Sequence, residues 1–407
     1  MRILQCGVAY SPNVGDGLIA SCMAYAVGRL LPGAEMVSLD FAGRRGFASE
    51  DRRSGLLGRT GALHLLSMMP GPARRAMVRA ILGRQLHAQR SDWQAMIDEA
   101  DAVIIGGGQL FADSDLNFPL KLGGLAALLA THRLPVAIHA AGVTGGWSAE
   151  GRALFGRLDE APLRAVGLRD AGSIKHWQDQ AGFGPTAILA LDPGLLAAEA
   201  IPAPPRSTDA PIGLGIADPT LLSYHAEAGV AGGGLAFQVA LAERLAEAGH
   251  RVLLFCNGAE EDARAVDRVG THPALAHFVE TGHIEVAPRP LTPHALAHTV
   301  ARCRALVAHR LHAIIAAYAY GIPAVALGWD AKVASFHREV GRESFTLSDP
   351  RVDAGAVAGA LGGVLDHPIA EAERAAMAAR ALADMAATLR CLGLPALDPG
   401  AAKGCAA

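Results

Sequence analysis

The 407-residue sequence has no apolar run of the length a membrane-spanning helix requires, no C-x-x-C pair among its six cysteines and no Walker A phosphate loop. It also lacks a dinucleotide fingerprint: counting from Gly106, G-x-G-x-x-G would need glycine at 111, where Phe111 stands. These absences argue against a spanning protein, a zinc or disulfide scaffold, a P-loop NTPase and a nicotinamide-binding domain. The start, Met1-Arg-Ile-Leu-Gln-Cys-Gly, leads from one charge and a short apolar run straight into a turn, unlike a signal peptide, and a cytoplasmic protein is expected. Reduced thiols follow from that location, with Cys6, Cys256 and Cys303 in apolar surroundings that predict burial.

What is present is an apolar, globular composition, 51% hydrophobic and 18% charged, long enough for two or three domains. The net charge of −3 is unevenly spread. Residues 42–90 hold ten arginines against Glu50 and Asp51, a local balance of +8 that leaves −11 for the rest. A basic segment on an acidic body points to an anionic partner: a phosphorylated substrate, a lipid headgroup or nucleic acid. Its interleaved residues (Leu63, Leu65, Leu66, Met68, Met69, Met77, Val78, Ile81, Leu82) are aliphatic, which disfavours nucleic acid and leaves a peripheral contact with an anionic inner membrane, or an insertion packed on the first lobe.

Short apolar runs at 2–9, 36–39, 102–106, 136–140, 164–168 and 187–191 alternate with helical periodicity at 17–31, 91–99, 118–131 and 170–181. The proline-rich stretch 201–211 reads as a stiff linker. Alternation then restarts, with strands at 212–216, 251–256, 283–286, 304–308 and 323–327 and helices at about 234–248, 259–269, 292–302, 309–320 and 331–340. The expectation is α/β: a lobe over 1–200 carrying the basic insertion 42–90, a linker 201–211, a second lobe with C-terminal helices over 212–390, and a tail 391–407. Ligands of such sheets bind at the carboxyl ends of the strands.

Several motifs stand at those ends. In Ser11-Pro-Asn-Val-Gly-Asp-Gly17, Asn13 and Asp16 can cap a helix while Gly15 lets backbone N–H groups face a ligand. Gly107 and Gly108 permit close approach after the third strand, and Asp113-Ser-Asp115 reads either as a metal-holding D-x-D or as a loop cap. Arg169 at a strand end offers a planar fork to a carboxylate or phosphate, or pairs with Asp170; Asp192 is a turn or a cleft carboxylate. The densest cluster is Ala308-His-Arg-Leu-His312, where Arg310 and His312 enter a helix whose first turn favours an anion. His309 and His312 could share a face as a metal pair, but nothing nearby supplies further ligands.

Taken in order, Asn13-Val-Gly-Asp16, Ile105-Gly-Gly-Gly-Gln-Leu-Phe-Ala-Asp113, Arg169-Asp-Ala-Gly-Ser173, Leu191-Asp-Pro193, Arg310-Leu-His312, Gly321-Ile-Pro323 and Lys332 resemble the polysaccharide pyruvyl transferase family. The resemblance implies a GT-B-like fold, two Rossmann-like lobes whose parallel sheets face across a cleft. It implies phosphoenolpyruvate as donor, with no cofactor and no metal, and a sugar or lipid-linked oligosaccharide of a cell-envelope or exopolysaccharide precursor as acceptor of a pyruvate ketal. On this resemblance Arg169, Arg310, Leu311 and Ser173 bind the donor and His312 is the acid–base group. Asn13, Gly15, Asp16, Gly107, Gly108, Asp113, Asp192, His309 and Lys332 meet the acceptor or order the cleft; His309 departs from the small residue expected before Arg-Leu-His. A nucleotide-sugar GT-B glycosyltransferase and a non-catalytic envelope-assembly binding protein are the alternatives.

Overall fold

A computed structural model describes residues 1–47, 70–220, 222 and 234–399. The chain forms two compact units, one from Met1–Tyr10, Ile19–Pro193 and the residues from Ala379 onward, the other from Ser11–Leu18 and Gly194–Ala378.

The first unit is a six-stranded parallel sheet of β1 (Arg2–Gly7), β2 (Glu35–Asp40), β3 (Ala102–Phe111), β4 (Val136–Val143), β5 (Leu163–Leu168) and β6 (Ala187–Leu189) in the order β2-β1-β3-β4-β5-β6. Its central strands are largely apolar because helices cover both faces: every residue of β4 is buried, as are Val103, Ile104 and Ile105 of β3. The strand expected at 102–106 runs on to Phe111, past Gly107 and Gly108 at φ +77° and +89°, with a register shift against β4 beyond Gly108.

The helix expected at 91–99 is instead Gly71–Asp98. Its buried positions Val78, Leu82, Trp93 and Ile97 keep helical spacing, but the arginines between them dilute the pattern so that only its last turns are legible in sequence. The rest of the basic insertion, residues 48–69, lies outside the described residues. A helix at Ala149–Gly156 was not foreseen; Ser148 caps it.

The second unit is also wholly parallel, in the order β12-β11-β10-β7-β8-β9: β7 (Ile212–Gly215), β8 (Val252–Phe255), β9 (Ile284–Val286), β10 (Ala305–Ala308), β11 (Ala324–Leu327) and the unforeseen two-residue β12 (Thr346–Leu347). Helices Leu235–Glu247, Glu260–Gly270, Pro293–Ala301, Leu311–Ala319 and Ala331–Glu339 fall where periodicity predicts them, and Ala354–Asp366 is one of the expected C-terminal helices.

Two boundaries differ from expectation. Residues 201–211 do not join the units; the division falls at Pro193, and the segment is tied inside the second unit, where Tyr320 donates its hydroxyl to the Ile201 carbonyl (2.6 Å) and Arg206 donates to that of Tyr320 (2.9 Å). The C-terminal helix, Glu371–Cys391, does not belong wholly to the second lobe. From Ala379 it completes the first unit, burying Ala381, Leu382, Met385, Ala386 and Leu389. Its periodicity predicts a buried face but not which sheet that face covers. Asp384 accepts the Leu191 N–H at 2.9 Å, and Leu397, in the expected tail, donates its N–H to the Leu30 carbonyl at 2.8 Å. Cys6, Cys22, Cys256 and Cys303 are buried free thiols.

On β4, fully buried His139 contacts Thr388 of this helix, Nδ1 to Oγ at 2.8 Å. The Thr388 hydroxyl already donates to the Asp384 carbonyl, so His139 must donate, which fixes the proton on Nδ1. Burial pushes the His139 pKa down to about 4, and burial assisted by Arg342 does the same to His337 in the second unit. Both rings are neutral when folded, whereas the unfolded chain takes up their protons below about pH 6.5. Stability is therefore full above that pH and falls towards pH 4, by about 3 kcal/mol for each ring. Urea midpoints measured from pH 7 to 4.5 should show this slope, and His139→Gln should flatten it; an unchanged slope would remove His139 as a source.

Candidate active site

In an open parallel sheet the binding crevice lies beyond the carboxyl ends of the strands, where strand order reverses. In the second unit the reversal falls between β7 and β10. After β10 the chain passes through His309 and Arg310 into the helix Leu311–Ala319, with Arg310 at its N-cap but making no side-chain cap. Arg310 instead donates from Nε and Nη2 to the two oxygens of Asp262, at 2.9 and 2.8 Å. Asp262 has no solvent exposure, and it also accepts the Asp218 N–H at 2.8 Å. Asp218 in turn receives Arg268 at 3.0 Å, so charges of alternating sign run behind the helix start. Burial weighs against the Arg310 charge, but the charge and hydrogen bonds of Asp262, helped by Asp16, hold its pKa above the ordinary value. Nearby Cys256 is pushed up to about 11 by burial, so its thiol stays protonated near neutrality.

His312 occupies the first turn of the same helix, 9% exposed, with Nδ1 3.5 Å from Oδ1 of Asp16. Asp16 belongs to the first turn of the helix Val14–Leu30, held in place by a 2.9 Å bond from the Val14 N–H to the Asn257 carbonyl. Gly15 makes the approach possible: a Cβ there would stand 2.7 Å from the His312 Cβ and 2.8 Å from its Nδ1. Gly258, at φ +100°, lies just as close beneath the Pro12 carbonyl, and its own carbonyl is held by Arg289 Nε at 2.7 Å. Asn13 does not cap the helix with its side chain: Oδ1 is buried and has no hydrogen-bond partner, and the backbone carbonyl of Asn13 takes the Asp16 N–H instead. Behind β10, Trp329 donates to the carbonyl of buried His309 at 2.7 Å, and Lys332 sits 4.4 Å from the Trp329 ring centre while pairing with Asp330.

The first unit carries its own set at the ends of β3 to β6. Arg169 is 8% exposed and lies over Gly142, where a Cβ would come within 2.6 Å of Nη2. Its polar contacts are long, 3.4 Å to Gln109 and 3.4 Å to Asp170, so a buried fork retains donor capacity suited to an anion. Two further expected site residues carry bonds of the fold. Ser173 accepts the Val143 N–H through its hydroxyl at 3.1 Å and receives the Asp170 cap on its own N–H at 2.7 Å. Asp113 spends one oxygen on the Leu116 N–H and the other on the N–H and hydroxyl of Ser148, which decides its D-x-D ambiguity in favour of the loop cap. Asp192, after β6, is 5% exposed.

The sequence model of the polysaccharide pyruvyl transferase family matches residues 13–331. The chain belongs to this family. No curated protein sequence matches it significantly. Among solved structures it is similar to the UDP complex of MnaA from S. aureus (TM-score 0.50, 10% identity, 98% of this chain and 92% of that one). It is also similar to the UDP-GlcNAc 2-epimerase of Methanocaldococcus jannaschii (TM-score 0.54, 8% identity, 91% and 94%). At such identities the likeness concerns fold alone, and that fold is GT-B, as expected.

The family match takes in every expected motif from Asn13 to Pro323 and stops one residue short of Lys332. Of the expected site residues of this transferase, Asn13, Gly15, Asp16, His309, Arg310, Leu311, His312 and Lys332 fall in the second unit. Gly107, Gly108, Asp113, Arg169, Ser173 and Asp192 fall in the first. Sequence reasoning missed Asp262, Asn257, Gly258 and Trp329. Asp262 sits in Glu260-Glu-Asp262, which reads as ordinary acids favouring a helix N-terminus and hides the one that meets Arg310. Asp262→Ala should cost about 3–5 kcal/mol in urea denaturation, because Arg310 is left charged and buried; a loss under about 1 kcal/mol would mean the pair is dispensable.

Proposed function

We propose that this transferase moves pyruvate from phosphoenolpyruvate onto two hydroxyls of a sugar in a cell-envelope polysaccharide precursor, as a ketal, with His312 as the acid–base group. The observation that carries the reading is the His312–Asp16 pair, brought together across Gly15 at the start of a helix. A carboxylate at Nδ1 orients the imidazole, makes Nε2 the reactive nitrogen and stabilises the imidazolium. In the reaction, Nε2–H protonates the methylene carbon of the enol, and C2 becomes oxocarbenium-like. One sugar hydroxyl adds to C2, the C2–O bond to phosphate breaks, and the second hydroxyl closes the ketal. Of the two hydroxyl protons released, one replaces the proton given to the methyl carbon and the other leaves on phosphate.

The anionic donor suits the N-terminal amides of the helix Leu311–Ala319. With Nε and Nη2 committed to Asp262, Arg310 has its Nη1 side left for a substrate, so we assign it chiefly to fixing that helix start. Arg169, buried with long contacts only, is assigned to an anionic substrate group. Phosphoenolpyruvate being a metabolite of the cytoplasm, we assign the reaction to that compartment.

The test is thermal stabilisation in phosphate-free buffer. Phosphoenolpyruvate should raise the melting temperature more than phosphate, pyruvate or UDP, and Arg169→Ala should weaken that shift. Stabilisation by UDP alone would favour a nucleotide-sugar transferase. Phosphate release with envelope oligosaccharides should fall about 100-fold or more in His312→Ala while the donor shift persists. Gly15→Ala should lose about tenfold or more with its fold intact, since a displacement of the imidazole by an ångström is enough; full activity in either variant would remove the pair from the mechanism.

A further inference from the structure

Of the 36 lysines and arginines in the chain only four are lysines, and one of these, Lys121, is buried in the first unit. It belongs to the second turn of the helix Asn117–His132, which follows β3, on the stripe that Leu125 and Leu128 carry on into the core; packing alone would place an apolar residue there. Lys121 is 7% exposed, and its Nζ makes no hydrogen bond or ion pair with any described residue, standing 5.6 Å from the centre of the Phe118 ring. Burial pushes its pKa down to about 8 against the pull of Asp40, and the Arg44 charge adds to the depression. Asp40 is the last residue of β2 and Arg44 lies four positions on, at the carboxyl edge where parallel sheets bind ligands. The carboxylate is already filled: one oxygen accepts the Tyr10 N–H at 2.9 Å, the other the Ala42 N–H at 2.7 Å and Arg44 Nε at 3.1 Å. Arg44, its side chain 9% exposed, spends only Nε among the described residues and keeps both Nη groups. One carboxylate thus stands against two nearly buried cations with spare donors. A lysine kept out of water without a close counter-charge costs stability, so folding does not account for it.

We propose that Lys121 and Arg44 hold an anionic group, a carboxylate or a phosphate, carried by the acceptor sugar. The two Nη groups of Arg44 offer a fork and the Lys121 ammonium a point charge, and oxygens of either anion satisfy both. Beside them Tyr10, whose N–H bonds Asp40, and Phe47, three residues past Arg44, meet edge to face with ring centres 5.2 Å apart, an aromatic wall for a sugar ring. That the ligand is the acceptor rests on the transfer reaction proposed above; the anion site itself is built from residues of the first unit alone.

Ligand-observed NMR of the full-length protein with glucuronate, glucose 1-phosphate, glucose and inorganic phosphate tests this. At neutral pH one of the two anionic sugars should bind about tenfold or more tighter than glucose, and the tighter of them identifies the group as carboxylate or phosphate. Its affinity should be level up to about pH 7 and then fall, approaching tenfold per pH unit above about pH 8, because only the protonated ammonium attracts the anion. Lys121→Met and Arg44→Gln should each bring the anionic sugar down to the affinity of glucose while leaving the phosphoenolpyruvate shift unaltered. Lys121→Met should melt no lower than the parent, since it removes a buried charge and keeps the volume. Equal affinity for glucose and both anionic sugars would overturn the proposal, as would an affinity flat across pH 8 or a Lys121→Met variant that binds like the parent or melts lower. Inorganic phosphate held through Lys121 as tightly as the better sugar would overturn the assignment to the acceptor. Absence of a phosphoenolpyruvate shift alongside Lys121-dependent sugar binding would count against the donor and in favour of this site.

Discussion

With Asp262 wholly inside the second unit and Arg310 forked onto both its oxygens, the start of the helix Leu311–Ala319 has a single available position. A carboxylate removed from water is tolerated only when its lone pairs are filled, and here the fork and the Asp218 N–H fill them. The pairing needs a planar, permanently charged donor, which a lysine would not supply. Everything at the site follows from that anchor: His312 lies two residues past it, His309 one residue before it, and the Trp329 bond to the His309 carbonyl braces the far side. The 3.5 Å approach of Asp16 has meaning only because the ring it meets is held from behind.

The architecture is legible in outline because parallel strands covered on both faces are short, mostly apolar runs: β7, β8 and β10 have no polar side chain, and β1 beyond Arg2, β3 and β4 have their polar residues Gln5, Gln109 and His139 within otherwise apolar stretches. Elements built on weaker signals were lost: two-residue β12 has no run to detect, and the arginines of Gly71–Asp98 break the apolar stripe that its buried positions obey. In the site, residues at strand ends and helix starts were visible because glycine, histidine and arginine are conspicuous there. Their roles were less visible. Arg310 looks like a ligand clamp until its partner is known, and that partner lies 48 positions away among acids that look ordinary. Ser173 and Asp113 enter the expected site through the family resemblance, and their bonds to the N–H groups of Val143 and Ser148 join residues that no sequence spacing connects.

Arg169 contrasts with Arg310. Both are arginines at strand ends with little exposure, yet the side chain of one is satisfied by a buried carboxylate while that of the other makes two polar contacts of 3.4 Å among the described residues. The glycine at 142 admits the Arg169 guanidinium against the β4 backbone, a close approach that any side chain would prevent. Arg169 thus keeps a looser ion pair, with Asp170 at 3.4 Å, than the bidentate pair of Arg310 with Asp262.

Neither unit is continuous in sequence, and this bears on how the protein comes to be made. The first sheet is closed by the turns after Ala379, with His139 and Thr388 249 positions apart, while the second unit needs Ser11–Leu18 from the opposite end. During synthesis from the N-terminus, the first six strands emerge long before the helix that covers them, leaving part of their apolar face open to water. Contacts of such sequence separation are the slow ones in folding. The nascent first unit must therefore wait, incompletely packed, until the residues from Ala379 have been translated, and no single cut in the chain would yield two self-sufficient halves.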